Sequence, residues 1–200
     1  MTARPETFIG SSSEGVIVAN AVKANLASYT DCTVWHEDVF LPGQFYFEAL
    51  EKALDRMDYA ILVATPDDLL TKREVANFTM RDNVLLELGL FMAKLGRRRT
   101  YLMSPKDRPI HIPSDLLGVE TVTYDLPPDA EASAGVAPAL EKACATIEAA
   151  MRQAEQDLSL AVRRALARAL LKWVAKVQGL VIAVQAESLK VVGDREEATR

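Results

Sequence analysis

The segment Tyr59-Ala60-Ile61-Leu62-Val63-Ala64 constrains the fold more than any other stretch of this chain. It is an unbroken apolar run, introduced by Asp58 and closed by Thr65-Pro66-Asp67-Asp68. A strand reads this way when helices cover both faces of a parallel sheet. The flanking sequence supplies such helices. Phe45 to Met57 is amphipathic, with Leu50, Ala53 and Leu54 on its inner side, and Arg81 to Leu95 is a second helix, stopped by Gly96 and three arginines.

The same alternation extends in both directions. Thr7–Ile9 is a short strand that ends in Gly10-Ser11-Ser12-Ser13-Glu14-Gly15, and Val18, Val22 and Leu26 give Val16 to Ala27 a helical spacing. Cys32–Trp35 is a second strand, followed by a loop from His36 to Gln44 that holds Pro42-Gly43. A polar stretch precedes Arg81, and Thr100–Met103 and Val119–Tyr124 supply two more strands. Pro127 to Pro138 reads as a loop, and beyond it the chain reads as helix to about Gln178. The pattern predicts a five-stranded parallel sheet flanked by helices in a flavodoxin-like arrangement, with a C-terminal helical extension. Ligands of such sheets bind beyond the carboxyl ends of the strands, at the switch point. The segments expected there are Gly10–Gly15, His36–Gly43 and Thr65–Asp68.

Composition narrows the class. A chain of 200 residues fits one domain, 5–150, with a helical extension, linker or assembly segment over 151–200. A net charge of −5 argues against direct nucleic-acid binding, which needs clustered Lys and Arg. Cys32 and Cys144 lie far apart without a metal-ligand partner and read as incidental thiols of a reduced, cytoplasmic protein. Met1 to Thr7 has no apolar stretch of signal-peptide length, and Leu85–Ala93 and Gly179–Val184 are too short to span a bilayer. No membrane span is expected.

Three constellations could carry chemistry. In Gly10-Ser11-Ser12-Ser13, small residues between a strand and a helix let backbone approach a ligand and let N–H groups attract phosphate. Helix capping by a serine explains them equally well. Trp35, Phe40, Phe45 and Tyr46 concentrate aromatic rings that could stack on a nicotinamide or adenine, or could simply be core. In Asn83 to Ala93, Glu87 is the only ionisable residue between Asp82 and Lys94. It either enters a cleft or forms, with Asn83 and Lys94, the wet stripe of an amphipathic helix.

A single carboxylate suits one reaction in particular. Glycosidases generally use two, one of them to protonate the leaving group. In NAD⁺ the nicotinamide is already cationic and departs neutral, so one carboxylate facing the developing positive charge is chemically adequate. Other chemistries fit poorly. His36 and His111 lack metal-ligand spacing, no G-x-S-x-G elbow occurs, and serines stand where a receiver domain carries its first acids.

Five segments occur together and in order: Phe8-Ile9-Gly10-Ser11-Ser12-Ser13-Glu14; Trp35 with Phe40–Gly43; Asp58-Tyr59-Ala60 with Asp67-Asp68; Arg81-Asp82-Asn83-Val84 leading to Glu87-Leu88-Gly89-Leu90-Phe91-Met92; and Ile112-Pro113-Ser114-Asp115-Leu116-Leu117-Gly118. Over about residues 5 to 125 they resemble the TIR-like domain of prokaryotic antiphage effectors of the CBASS and Pycsar type. The resemblance implies a flavodoxin-like TIR fold and hydrolysis of NAD⁺ to nicotinamide and ADP-ribose, with Glu87 as catalytic carboxylate. NAD⁺ is then substrate, and no cofactor or metal is expected. The implied substrate-binding set is Gly10, Ser11, Ser12, Ser13, Trp35, Asp38, Phe40, Asp67, Asp68, Arg81 and Asn83. It further implies an antiphage abortive-infection effector that forms a homo-oligomer when a sensor domain or partner binds a cyclic nucleotide. Two alternatives stay open: a non-catalytic TIR-like assembly scaffold, and a nucleoside deoxyribosyltransferase-like enzyme on a related fold.

Relatives usually carry a cyclic-nucleotide sensor, and the roughly 50 residues after Met151 are too few for one, so either the chain is a fragment ending in a linker or control comes from a separate partner. Those residues hold instead an apolar stripe at nearly four-residue spacing, Leu158, Val162, Leu166, Leu170, Trp173 and Val177, with Arg163, Arg164, Arg168, Lys172 and Lys176 largely on the other side. Such a stripe packs on its own domain, self-associates or, least readily, lies on a membrane surface.

Overall fold

A computed structural model describes residues 4–36, 46–72, 74–116, 118–126 and 135–197. In chain order the elements are β1 (Glu6–Ser11), α1 (Val16–Leu26), β2 (Asp31–Val34), α2 (Tyr46–Arg56), β3 (Tyr59–Val63), β4 (Asp68–Lys72), β5 (Val75–Thr79), α3 (Asp82–Leu95), β6 (Thr100–Pro105), β7 (Glu120–Tyr124) and α4 (Val136–Glu197). Residues through Ala154 form one compact unit and Glu155–Arg200 a second.

The main sheet has the order β2-β1-β3-β6-β7, and every pairing in it is parallel. This is the expected α/β architecture, with the reversal of strand order falling between β1 and β3. The apolar run of β3 is buried throughout, and its alternation assigns each side chain to one of two cores. Tyr59, Ile61 and Val63 join Ile9, Val22 and Leu26 on the α1 side, where Leu140, Ile147 and Met151 of α4 complete the packing. Ala60, Leu62 and Ala64 join Phe8, Leu50 of α2 and Val84, Leu88 and Phe91 of α3 on the other face. At about 1.5–3 kcal/mol for each large apolar side chain, these two layers are what hold the sheet.

Three local expectations are corrected. The polar stretch before α3 is not a plain connection: β4 and β5 form an antiparallel two-stranded hairpin, with Leu69 opposite Phe78 and Lys72 opposite Val75. Glu74, at φ 68°, turns the chain in a conformation that usually calls for Gly or Asn, so the customary turn signal is missing. Second, β1 runs on to Ser11 instead of stopping at Ile9. Third, α4 begins at Val136 and continues to Glu197, well past Gln178. Pro138 is tolerated because it lies in the first turn, and one interior Gly179 costs only about 1 kcal/mol.

Neither Cys32 nor Cys144 is in a disulfide. Cys144 is buried on the α1-side core, and burial first, with Cys32 adding, pushes its thiol up to about 12. Among the described residues, no helix is long and apolar enough to cross a membrane.

Candidate active site

The carboxyl ends of β1 and β3 lie side by side, with Gly10 opposite Leu62 and Ser11 opposite Val63. Trp35 follows β2 directly. Its backbone N–H extends the ladder to Ile9 O at 2.9 Å, and its indole Nε1–H donates to Ser11 Oγ at 3.0 Å. The ring is therefore fixed against the end of β1. Beyond Ser11 the chain is tied to the β3 side by successive hydrogen bonds. Gly15 N–H donates to Ser12 Oγ at 3.2 Å, Ser12 and Thr65 hydroxyls meet at 2.9 Å, and Thr65 Oγ1 donates to Asp67 Oδ2 at 2.8 Å. Since the Thr65 hydroxyl spends its proton on Asp67, Ser12 donates to Thr65. Gly15 is the N-cap residue of α1, without a side-chain capping bond, so Ser12 braces the loop in place of capping the helix.

Glu87 lies on the buried face of α3 with Val84, Leu88 and Phe91, and is 3% exposed. It does not belong to a wet stripe. Asn83 is exposed, and Lys94 is turned to Asp55 of α2, 2.5 Å away. The Glu87 carboxylate rests against bare backbone: a Cβ added at Gly10 would overlap both Glu87 Oε2 and Leu62 Cδ1. Gly10 is therefore required by a close approach and not by an unusual backbone angle.

These residues enclose a cleft of about 230 Å³. Ser11, Ser12, Ser13 and Glu14 line one part, Trp35 another, and Arg81, Asn83, Val84 and Glu87 the α3 side. Arg81 precedes the first turn of α3 and holds two other segments together, donating to Asp68 of β4 at 2.8 Å and to Glu14 at 2.7 Å. Each such half-exposed pair is worth about 0–1 kcal/mol, so the network positions the rim more than it stabilises the fold. A hydrogen bond from its own backbone, aided by Arg81 and Ser12 against partial desolvation, holds the Glu14 carboxyl below its usual range. Glu14 is thus ionised beside the cleft.

Of the expected site residues, the structure brings Ser11, Ser12, Ser13, Trp35, Arg81, Asn83 and Glu87 to one cleft, with Gly10 directly behind the carboxylate. Asp67 and Asp68 are near it but engaged elsewhere, with Thr65 and Arg81 respectively. Asp38 and Phe40, with Pro42-Gly43, lie outside the described residues. Glu14 was not anticipated. An acid just ahead of a helix N-terminus is the signal that marks it. A larger groove of about 380 Å³ runs between β7 and α4, with Lys106 and Lys142 in its lining, but it holds no buried carboxylate.

A doubly wound parallel sheet with a buried glutamate beyond the ends of β1 and β3 defines an α/β domain with a cleft at the switch point, where ligands of such sheets bind. Residues 6–126 match the model of the family described as CAP12/Pycsar effector protein, TIR domain. The chain belongs to that family. Among curated relatives, the Pycsar effector protein PaPycTIR of Pseudomonas aeruginosa is 44% identical over 120 residues, 60% of this chain and 39% of that one. The Pycsar effector protein XpPycTIR of Xanthomonas perforans is 40% identical over 137 residues, 68% of this chain and 45% of that one. CD-NTase-associated protein 12 of Flavobacterium daejeonense is 37% identical over 118 residues, 59% and 37% respectively. The chain thus spans less than half the length of these relatives.

Proposed function

We propose that the domain hydrolyses NAD⁺ to nicotinamide and ADP-ribose, with Glu87 as catalytic carboxylate. The observation that carries this reading is Glu87 itself, an acid 3% exposed at the back of a cleft. Burying a carboxylate is costly, and this one stands on a helix face otherwise made of the apolar Val84, Leu88 and Phe91.

The bond between ribose C1′ and the nicotinamide nitrogen breaks with both electrons going to the ring, which departs neutral. Water adds at C1′ and gives up a proton. Glu87 accepts a hydrogen bond from a ribose hydroxyl and faces the positive charge that grows at C1′. With water largely excluded around it, that interaction is stronger than in bulk solvent. Trp35, held by Ser11, offers an aromatic wall to the base. Ser12 and Ser13 bring small, polar backbone to the phosphates, and Arg81 provides the cleft's cation. Glu14, ionised and paired with Arg81, takes no part in the chemical step.

The biological reading is an effector that drains NAD⁺ in an infected cell when a cyclic nucleotide signal drives its assembly. The names of the relatives, Pycsar effectors and a CD-NTase-associated protein, support that setting. The test is NAD⁺ consumption by concentrated protein, with and without a panel of cyclic nucleotides, for the parent and Glu87→Gln. The isosteric variant is expected to lose at least about 10²-fold in rate with a melting temperature no lower than the parent's. Equal consumption by both overturns the role of Glu87. Release of free base from deoxynucleosides with NAD⁺ untouched favours the deoxyribosyltransferase alternative.

A further inference from the structure

The cleft runs from a buried end to an exposed one. Glu87 at its back is 3% exposed, whereas the side chains of Glu14 and Arg81 at the rim are 53% and 41% exposed. Its volume of about 230 Å³ falls below the roughly 300–1,000 Å³ of pockets that enclose a whole drug-sized ligand. A dinucleotide whose nicotinamide ribose meets Glu87 therefore brings its phosphates, joined to that ribose at C5′, to the rim.

Among the described residues that line the cleft, Arg81 is the one cation. Both ends of its guanidinium are taken: Nη1 donates to Asp68 Oδ1 at 2.8 Å and Nη2 to Glu14 Oε1 at 2.7 Å. The two partners are not equivalent. Asp68, at the start of β4, is not a lining residue, so it anchors the guanidinium from outside the cleft. Glu14 does line the cleft, on the loop between β1 and α1, and its pair with Arg81 bridges that loop to the start of α3. A carboxylate and a phosphate compete for the same N–H donors of this planar fork. Glu14 competes as an anion, because the hydrogen bond from its own backbone, with Arg81 and Ser12 adding, keeps it ionised. Left in place, it repels an incoming phosphate. A half-exposed pair of this kind is weak enough to be exchanged.

We infer that Glu14 is a resident counterion which a substrate phosphate displaces from Arg81, leaving the guanidinium anchored by Asp68. Glu14 thus lowers the affinity of the cleft for phosphate-bearing ligands and acts on binding, not on the bond that breaks. The inference rests on the reading of the cleft as an NAD⁺ site. Ligand-observed NMR titration of the full chain tests it with two probes: ADP-ribose, which keeps the pyrophosphate and has lost the scissile bond, and nicotinamide, which has no phosphate. Glu14→Gln keeps the size of the side chain and removes its charge. Its dissociation constant for ADP-ribose is expected to fall by about threefold, the strength of one half-exposed ion pair, with that for nicotinamide unchanged. Arg81→Gln is expected to weaken ADP-ribose by about tenfold or more and, in the double variant, to erase the effect of Glu14→Gln. Equal ADP-ribose affinity in the parent and Glu14→Gln overturns the inference. Weaker binding by Glu14→Gln does so too, since Glu14 would then support the loop. Equal tightening of both probes also overturns it, because a wider cleft and not charge would be the cause. ADP-ribose binding with the expected dependences in a protein that leaves NAD⁺ intact upholds the displacement and overturns only the hydrolysis. NAD⁺ turnover with ADP-ribose affinity indifferent to Glu14 does the reverse.

Discussion

Glycine at position 10 offers a sharp probe of the site, because the structure provides its own control at Gly89. At Gly10 an added Cβ would stand 2.5 Å from Leu62 Cδ1 and 3.0 Å from Phe8 Cε1, and would overlap Glu87 Oε2. At Gly89, two residues beyond Glu87 on α3, a Cβ meets nothing within 4 Å. Phe8 and Leu62 are fully buried in the core shared with α3 and have little room to yield. Forcing a methyl into such a place costs about 1–3 kcal/mol. The carboxylate is the softer neighbour, and moving a reacting group by about 1 Å typically costs on the order of 10²-fold in rate. Gly10→Ala is therefore expected to reduce NAD⁺ turnover by about two orders of magnitude while lowering stability by about 1–2 kcal/mol. Gly89→Ala replaces a mid-helix glycine without a clash, so it should retain turnover and gain about 0.5–1 kcal/mol. Initial rates of NAD⁺ consumption at matched oligomer concentration, paired with urea denaturation, separate the two effects. If Gly10→Ala turns over NAD⁺ at the parent rate with unchanged stability, Glu87 does not rest against β1 and the site geometry is wrong. If both alanine variants lose activity equally, the close approach at Gly10 is not the cause.

Other consequences are equally open to measurement. Cys144 should resist alkylation near pH 8 in the folded protein while the partly exposed Cys32 reacts, since the buried thiol is held protonated up to about 12; mass spectrometry of labelled peptides decides it. By linkage, the native state holds the Cys144 proton after the unfolded chain has lost it. Its effect is absent below the ordinary thiol pKa of about 9, and above it stability falls by at most about 1.4 kcal/mol per pH unit; denaturation midpoints between those pH limits in the parent and Cys144→Ala test this. Glu74→Gly relieves a left-handed non-glycine turn, at φ 68°, and should stabilise the hairpin by about 1 kcal/mol, read as a raised melting temperature. Trp35→Phe removes the indole donor to Ser11 and should cost about 1 kcal/mol of stability, with a higher KM for NAD⁺ than the parent.

How far residues alone reveal this molecule depends on whether the relevant physics is local. The β3 strand was legible because an apolar run between polar borders admits few arrangements, and its two cores follow from strict alternation. The hairpin was not: Leu69 and Phe78 sit opposite each other yet are 64% and 49% exposed, so no buried face imposes a pattern, and Glu74 disguises the turn. Arg81 is a non-local case. Its partners Asp68 and Glu14 are 13 and 67 residues away, and only the fold brings them to one guanidinium. Glu87 falls between these extremes. Spacings of four and seven group it with Asn83 and Lys94, but spacings of three, one and four also group it with Val84, Leu88 and Phe91, the face that packs. Helical periodicity assigns a residue to an angle, and near the edge of an apolar arc that angle belongs to both faces. The sheet decides between them, because Gly10 opens a space on β1 that only a side chain from the packing face can fill. What makes Glu87 a candidate catalyst is therefore encoded at position 10 as much as at position 87.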